Sequence, residues 1–331
     1  TKPLGEILKS PNRDDALNFS DSLRALATTR AQQLTQHPAF STLSSSRRKQ
    51  LINQITALAA TGVAPMYAVE QLRRQGHLPE QIANNLKNNP ELIQGIVETA
   101  RINSRAAQLQ RIRTAESIAS SALALRQAGL DPRQRPQELA SFEHELQRAS
   151  QMASQNPTQA RKLIEQAFEK RHIRIPSSQR KTLINTANGP RLVAQHYLAA
   201  IEAARRHQNL LTNPKLFTRK LVAENVARVA TEGLTNGLKT VLKDQPAITL
   251  QRSLARKDSF AAKLINRTTQ TIAQTANISP EQSAKLKESL QKTILKKIEG
   301  MGEAARRVSV QQILEDPNFQ REITDSLIQN M

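Results

Sequence analysis

No cysteine and no tryptophan occur in the 331 residues. The first absence removes disulfides, thiolate zinc sites, iron–sulfur ligation and thiol nucleophiles together. It suits a cytosolic protein, a virion component and a secreted one equally, so it fixes no compartment. The second removes the largest aromatic anchor of binding hot spots. Aromatic residues of all kinds make up only 3% of the chain, which leaves few rings to stack on unpaired bases. β-branched and aromatic residues nowhere gather into alternating runs, so nothing points to a sheet. No apolar run approaches the roughly 20 residues needed to cross a bilayer. The opening Thr1-Lys2-Pro3-Leu4-Gly5 has no apolar stretch of signal-peptide length. A soluble chain is expected.

Catalytic signatures are missing as well. There is no P-loop, dinucleotide-binding glycine pattern, kinase signature, nucleophile elbow or metalloprotease motif. Gly300-Met301-Gly302 is too short to cradle a phosphate and reads as a break between helices. The six histidines (His37, His77, His144, His172, His196 and His207) include no i,i+4 pair suited to a metal. Glu143-His144-Glu145 sets neighbours on different helix faces and reads as surface. His196 follows the apolar pattern of its segment and sits near Glu202. A hydrogen-bonded structural histidine is the expectation there, and a catalytic one the alternative. No cofactor, no metal and no catalytic residue is assigned.

What the chain does have is helix punctuation. Pro65, Pro79, Pro90, Pro136, Pro157, Pro190, Pro214, Pro246, Pro280 and Pro317 each stand at a segment start and precede apolar residues at three- and four-residue spacing. Ser279-Pro280-Glu281-Gln282 and Ser309-Val310-Gln311-Gln312 match the capping box. The phrases starting at His37, Asn89, Asn213 and Asp316 share a cap-then-proline form, with no fixed period that would make a repeat array. The fold class is therefore all-α, an array of about 14–17 helices without a sheet. Its longest element is expected over 90–128, a rod of about 58 Å if continuous. Two apolar stripes lie along it: Ile93, Ile96, Val97 and Ala100, then Leu109, Ile112, Ala119 and Ala122. They are out of phase across Asn103-Ser104, which predicts a bend or a change of packing partner.

Further helices are expected at about 178–188, 190–211, 214–232, 234–244, 247–276 with a break at Asp258, 280–299, 309–315 and 317–330. Gly189, Gly233 and Gly300 are read as helix ends. The least helical stretch in the middle is His172-Ile173-Arg174-Ile175-Pro176-Ser177-Ser178. It places a boundary between an N-terminal helical domain over 1–172 and a C-terminal one over 177–331, one continuous helical domain being the alternative.

Charge is the sharpest functional signal. The net +20 is uneven: residues 1–160 hold 19 Lys and Arg against 13 Asp and Glu, residues 161–267 hold 21 against 7, and residues 268–331 hold 8 of each. Such a field attracts polyanions, and with few aromatics and no zinc-finger or helix-turn-helix signature the mode is backbone contact rather than base reading. The candidate residues are Lys170, Arg171, Arg174, Arg180 and Lys181 around the Pro-Ser-Ser element, then Arg205, Arg206, Arg219 and Lys220. The competing reading is a set of ordinary solvated helix faces that never converge. An anionic membrane is a weaker partner, through Leu216, Phe217, Leu221 and Val222 beside Lys215, Arg219 and Lys220.

Three function classes fit these residues. The first is a non-enzymatic helical binding or scaffold protein that holds a polyanion, nucleic acid backbone foremost, through 161–267. The second is a secreted bacterial effector or helical adaptor that binds a host or partner protein. The third is an all-helical enzyme whose groups come from separate helices. The charge asymmetry favours the first.

Overall fold

Cap residues decide where the helices of this protein start. In the computed structural model, which describes residues 13–60, 64–74, 76, 78–276 and 278–331, most of the cap-then-proline phrases open a helix. The side chains of Phe19, Leu58, Ala59 and Ser104, and all of His77, lie outside the described residues. Asn156 accepts a hydrogen bond from the Gln159 amide at 3.1 Å, Asn213 from Leu216 at 3.2 Å and Asp316 from Asn318 at 3.0 Å. Ser279 and Ser309 both complete the reciprocal capping box with Gln282 and Gln312. Each supplies a partner for amides that the first helical turn leaves open, and the proline that follows all of them except Ser309 has no N–H to orphan.

Fifteen α-helices result among the described residues, with no strand; one isolated bridge joins Pro246 to Ser309. In chain order they are α1 (Arg13–Thr35), α2 (Ser45–Ala60), α3 (Pro65–Arg74), α4 (Glu80–Lys87), α5 (Pro90–Gln127), α6 (Pro136–Met152), α7 (Pro157–Glu169) and α8 (Ser177–Asn185). Then come α9 (Gly189–Arg206), α10 (Pro214–Leu242), α11 (Ala247–Leu254), α12 (Phe260–Ala276), α13 (Pro280–Gly300), α14 (Val310–Leu314) and α15 (Pro317–Gln329). The expected break at Asp258 is the α11–α12 loop.

The chain divides into two compact units, one of residues Thr1–Arg111 and Ala223–Met331, the other Ile112–Val222. The sequence places its boundary at 172–177, which lies inside the second unit. Ile175 from that stretch is buried in the same core as Phe168 and Leu183 on either side of it. The passage between units falls inside α5 and again inside α10. This accounts for the two stripes of α5. Leu92 and Ile96 belong to a core with Phe40, Ile52 and Leu86, whereas Ala119, Ala122 and Leu125 belong to the second unit's core. The helix changes partner along its length. The second unit's core runs through Phe142, Phe168 and Tyr197, whose rings meet edge to face at 5.1 and 4.7 Å, the geometry that aromatic quadrupoles favour. The first unit has two cores, an earlier one on α2–α5 and a later one on α10–α15, and Phe260 packs against both.

Of the three glycines read as helix ends, two behave differently from expectation. Gly233 does not end a helix; α10 runs through it to Leu242. A lone glycine costs a helix only about 1 kcal/mol, and burial of Leu234 and Leu238 beyond it offsets that. Gly189 opens α9 rather than closing α8. A Cβ there would stand 2.2 Å from the Thr182 carbonyl oxygen, so the absence of a side chain is what lets the two helices meet. Gly300 is the last residue of α13, and the left-handed position belongs to Gly302. Gly129, by contrast, ends α5 as read: it has φ +85°, and Leu130 and Gly129 donate back to Leu125 and Arg126 at 2.9 Å, a Schellman motif.

Candidate polyanion-binding surface

The basic region of the sequence, 161–267, is divided between the units: residues 161–222 lie in the second and 223–267 in the first. From residue 170 to 222 eleven Lys and Arg stand against one acid, Glu202. Helix α7 ends where this stretch begins, in a second Schellman motif: Ile173 donates to Phe168 at 3.0 Å and His172 to Glu169 at 2.9 Å. Here the left-handed position falls on His172, with φ +54°. The turn directs the chain through Arg174, Ile175 and Pro176 into α8. Ile175 is buried and its neighbours Arg174 and Pro176 are exposed, so Ile175, with half-buried Ile173 packed against the same core, pins the basic loop.

The nine candidate cations fall into two sets. Arg171 turns inward: its side chain is 3% exposed, and it reaches Glu145 at 2.6 Å and Glu138 at 3.7 Å. It also donates to the Ala167 carbonyl at 2.9 Å and to Ser141 at 3.2 Å, and lies 5.0 Å over the Phe142 ring. It is a strut between α6 and α7, unlike the surface contact the sequence suggested. Arg205 pairs with Glu143 at 2.6 Å and Arg206 with Glu202 one turn away. Lys170 sits 3.5 Å from Glu145 but stays largely exposed. The pair Glu143 and Glu145, read from sequence as plain surface, thus neutralises two of the candidates; only the packing of α6 against α7 and α9 reveals it.

Arg174, Arg180, Lys181 and Arg219 are exposed and Lys220 half-buried, and none makes an ion pair among the described residues. Arg174, Arg180 and Lys181 come together in sequence on the loop and first turns of α8. Arg191, at the start of α9, is also exposed, and α8 packs against α9. Two large aliphatic side chains stand open on the same helices, Ile184 at 49% and Leu192 at 46%. Sequence pattern missed both, because a single exposed Ile or Leu leaves no mark on helical periodicity. Of the apolar half of the membrane alternative, Phe217 and Leu221 are buried in the core, Val222 is half-buried and Leu216 alone is exposed, at 45%.

His196 is half-buried, with Nε2 2.8 Å from Ser121 Oγ on α5. Burial holds its pKa below the ordinary value. Burial likewise pushes the neighbouring Tyr197 phenol up to about 12, against a smaller opposing effect of a hydrogen bond to Ser121. Glu202 is exposed and engaged with Arg206, so it does not join His196. Among the described residues no group of three or more His, Asp or Glu could hold a metal ion, and no helix is long and apolar enough to cross a membrane.

No family model matches the chain, and neither a curated protein nor a solved structure does.

Proposed function

We propose that the protein is a non-enzymatic helical binding module that holds a polyanion, nucleic acid backbone foremost, on the surface around α8. One observation carries this reading. Arg174, Arg180 and Lys181 are exposed without ion pairs among the described residues, in a 53-residue stretch whose only acid is already engaged by Arg206. Cations that neutralise no neighbour keep their full field for an incoming anion, and phosphates that meet them release condensed counterions.

The test is duplex DNA binding across a salt series. Affinity should fall steeply with salt, and joint reversal of Arg174, Arg180 and Lys181 to Glu should lower the slope by about three, one for each phosphate no longer neutralised. Binding that is flat across salt, or unchanged by the triple reversal in a protein that stays folded, defeats the proposal.

A second reading, an adaptor for an acidic protein, is favoured by Ile184 and Leu192, which a phosphate backbone has no use for. A stoichiometric protein partner that survives nuclease and moderate salt, and fails to bind Ile184→Asp, would support it over the first.

A further inference from the structure

Among the described side chains, two aromatic residues reach the surface, and they lie together in the first unit. Phe40, Phe142, Phe168, Phe217, Phe319 and Tyr197 are all buried. Tyr67 on α3 is 39% exposed and stacks on Phe260, the first residue of α12, with centroids 5.7 Å apart and planes 10° from parallel. Met66 beside it is 37% exposed. Phe260 is half-buried and packs against both cores of the unit, so the lower ring of the stack is fixed while the upper one meets solvent.

The charge around the pair is mainly positive. Arg256 and Lys257 are exposed in the loop that leads into Phe260, and Lys263 is exposed one turn further along α12. Between residues 245 and 280 the only acid is Asp258. On the Tyr67 side, the nearest acid along α3 is Glu70. Arg73 at 2.6 Å, with Arg74 and Lys87 each at 3.1 Å, engages it and holds its carboxyl far below the ordinary carboxylate range. An exposed ring on a fixed partner, with cations on the adjoining turns that make no ion pair among the described residues, is what an unpaired nucleobase and its flanking phosphates require. A duplex offers no free base face, so the pair selects single strands.

We propose that the Tyr67–Phe260 stack receives a base of single-stranded nucleic acid, with Arg256, Lys257 and Lys263 meeting the adjoining phosphates. This goes beyond the polyanion reading above, since it concerns a second surface, in the other unit, and a strand form that the first does not require.

Two probes of equal charge decide it: a single-stranded oligothymidine and an abasic oligomer of the same length. The normal strand should bind about tenfold more tightly than the abasic one, and Tyr67→Ala should abolish that difference while Tyr67→Phe keeps it. Tyrosine emission supplies a second readout. The chain has two tyrosines, and Tyr197 is buried in the other unit, so quenching by the normal strand belongs to Tyr67 and should vanish in Tyr67→Phe. Equal affinity for the two probes, or a base-dependent difference that persists in Tyr67→Ala, overturns the stacking proposal and leaves backbone binding intact. Failure of both probes to bind overturns the stacking proposal, and the duplex salt series decides the α8 surface separately.

Discussion

Arg171 reaches Glu145 across the α6–α7 contact, Nη1 to Oε2 at 2.6 Å, with the arginine almost wholly out of water. Removing one partner of such a pair strands the other. Arg171→Ala should therefore destabilise the protein by about 3 kcal/mol, whereas Lys181→Ala should change stability by less than about 0.5 kcal/mol. Chemical denaturation of the two variants measures both. Comparable losses would mean that Arg171 is no strut.

The same pair sets an acid limit. Burial alone would raise the Glu145 pKa, but hydrogen bonds and charge from Arg171, with help from Lys170, outweigh it and hold the group below its ordinary value of 4.5. A carboxyl with a depressed folded pKa stabilises fully above the unfolded value and loses that contribution as pH falls below it. Glu145→Gln should flatten the fall in melting temperature below pH 4.5 relative to the parent. An unchanged acid profile would exclude this pair as a contributor.

His196 acts in the same direction at higher pH. Its folded pKa lies below the ordinary 6.5 because burial disfavours the charged ring. Stability is therefore complete above pH 6.5 and declines as pH falls through the interval down to the folded value. We expect His196→Gln to remove up to one proton of slope from the stability profile in the interval just below pH 6.5. A parent protein whose stability is level across that interval contradicts the assignment.

Gly189 and His172 make opposite tests of backbone. Gly189→Ala drives a methyl into the Thr182 carbonyl, and should cost about 3 kcal/mol or prevent folding. His172→Gly relieves a left-handed position that side chains resist, and should stabilise by about 0.5–1 kcal/mol. Thermal melts of both variants give the comparison, and a neutral Gly189→Ala would mean that α8 and α9 have room to part.

Local signals in the sequence reached the structure with little change. Ser279 and Ser309 cap as their spacing implies because a capping box involves only four consecutive residues. Gly129 ends α5 for the same local reason. Properties set by distant partners did not read through. Gly189 looks like any helix stop until the carbonyl of Thr182 is placed beside it. Arg171 and Arg174 are equivalent in composition, yet Glu145, 26 positions away from the first, takes one into the core and leaves the other open. The phase shift in α5 marks a change of environment correctly, although the least helical stretch of the sequence points to a boundary elsewhere. A boundary that runs through the middle of two helices carries no proline or glycine to announce it.

That same interruption gives the protein a history in time. Residues 112–222 are complete before any residue from 223 onward has been made, while the first 111 wait for their other half. At ordinary elongation rates the wait lasts on the order of ten seconds. A nascent chain released from the ribosomal tunnel to about residue 222 thus has the basic surface finished and the Tyr67 ring without Phe260. We expect it to engage an anion through the backbone before it can discriminate a single strand, and a ribosome stalled there should display the first property without the second.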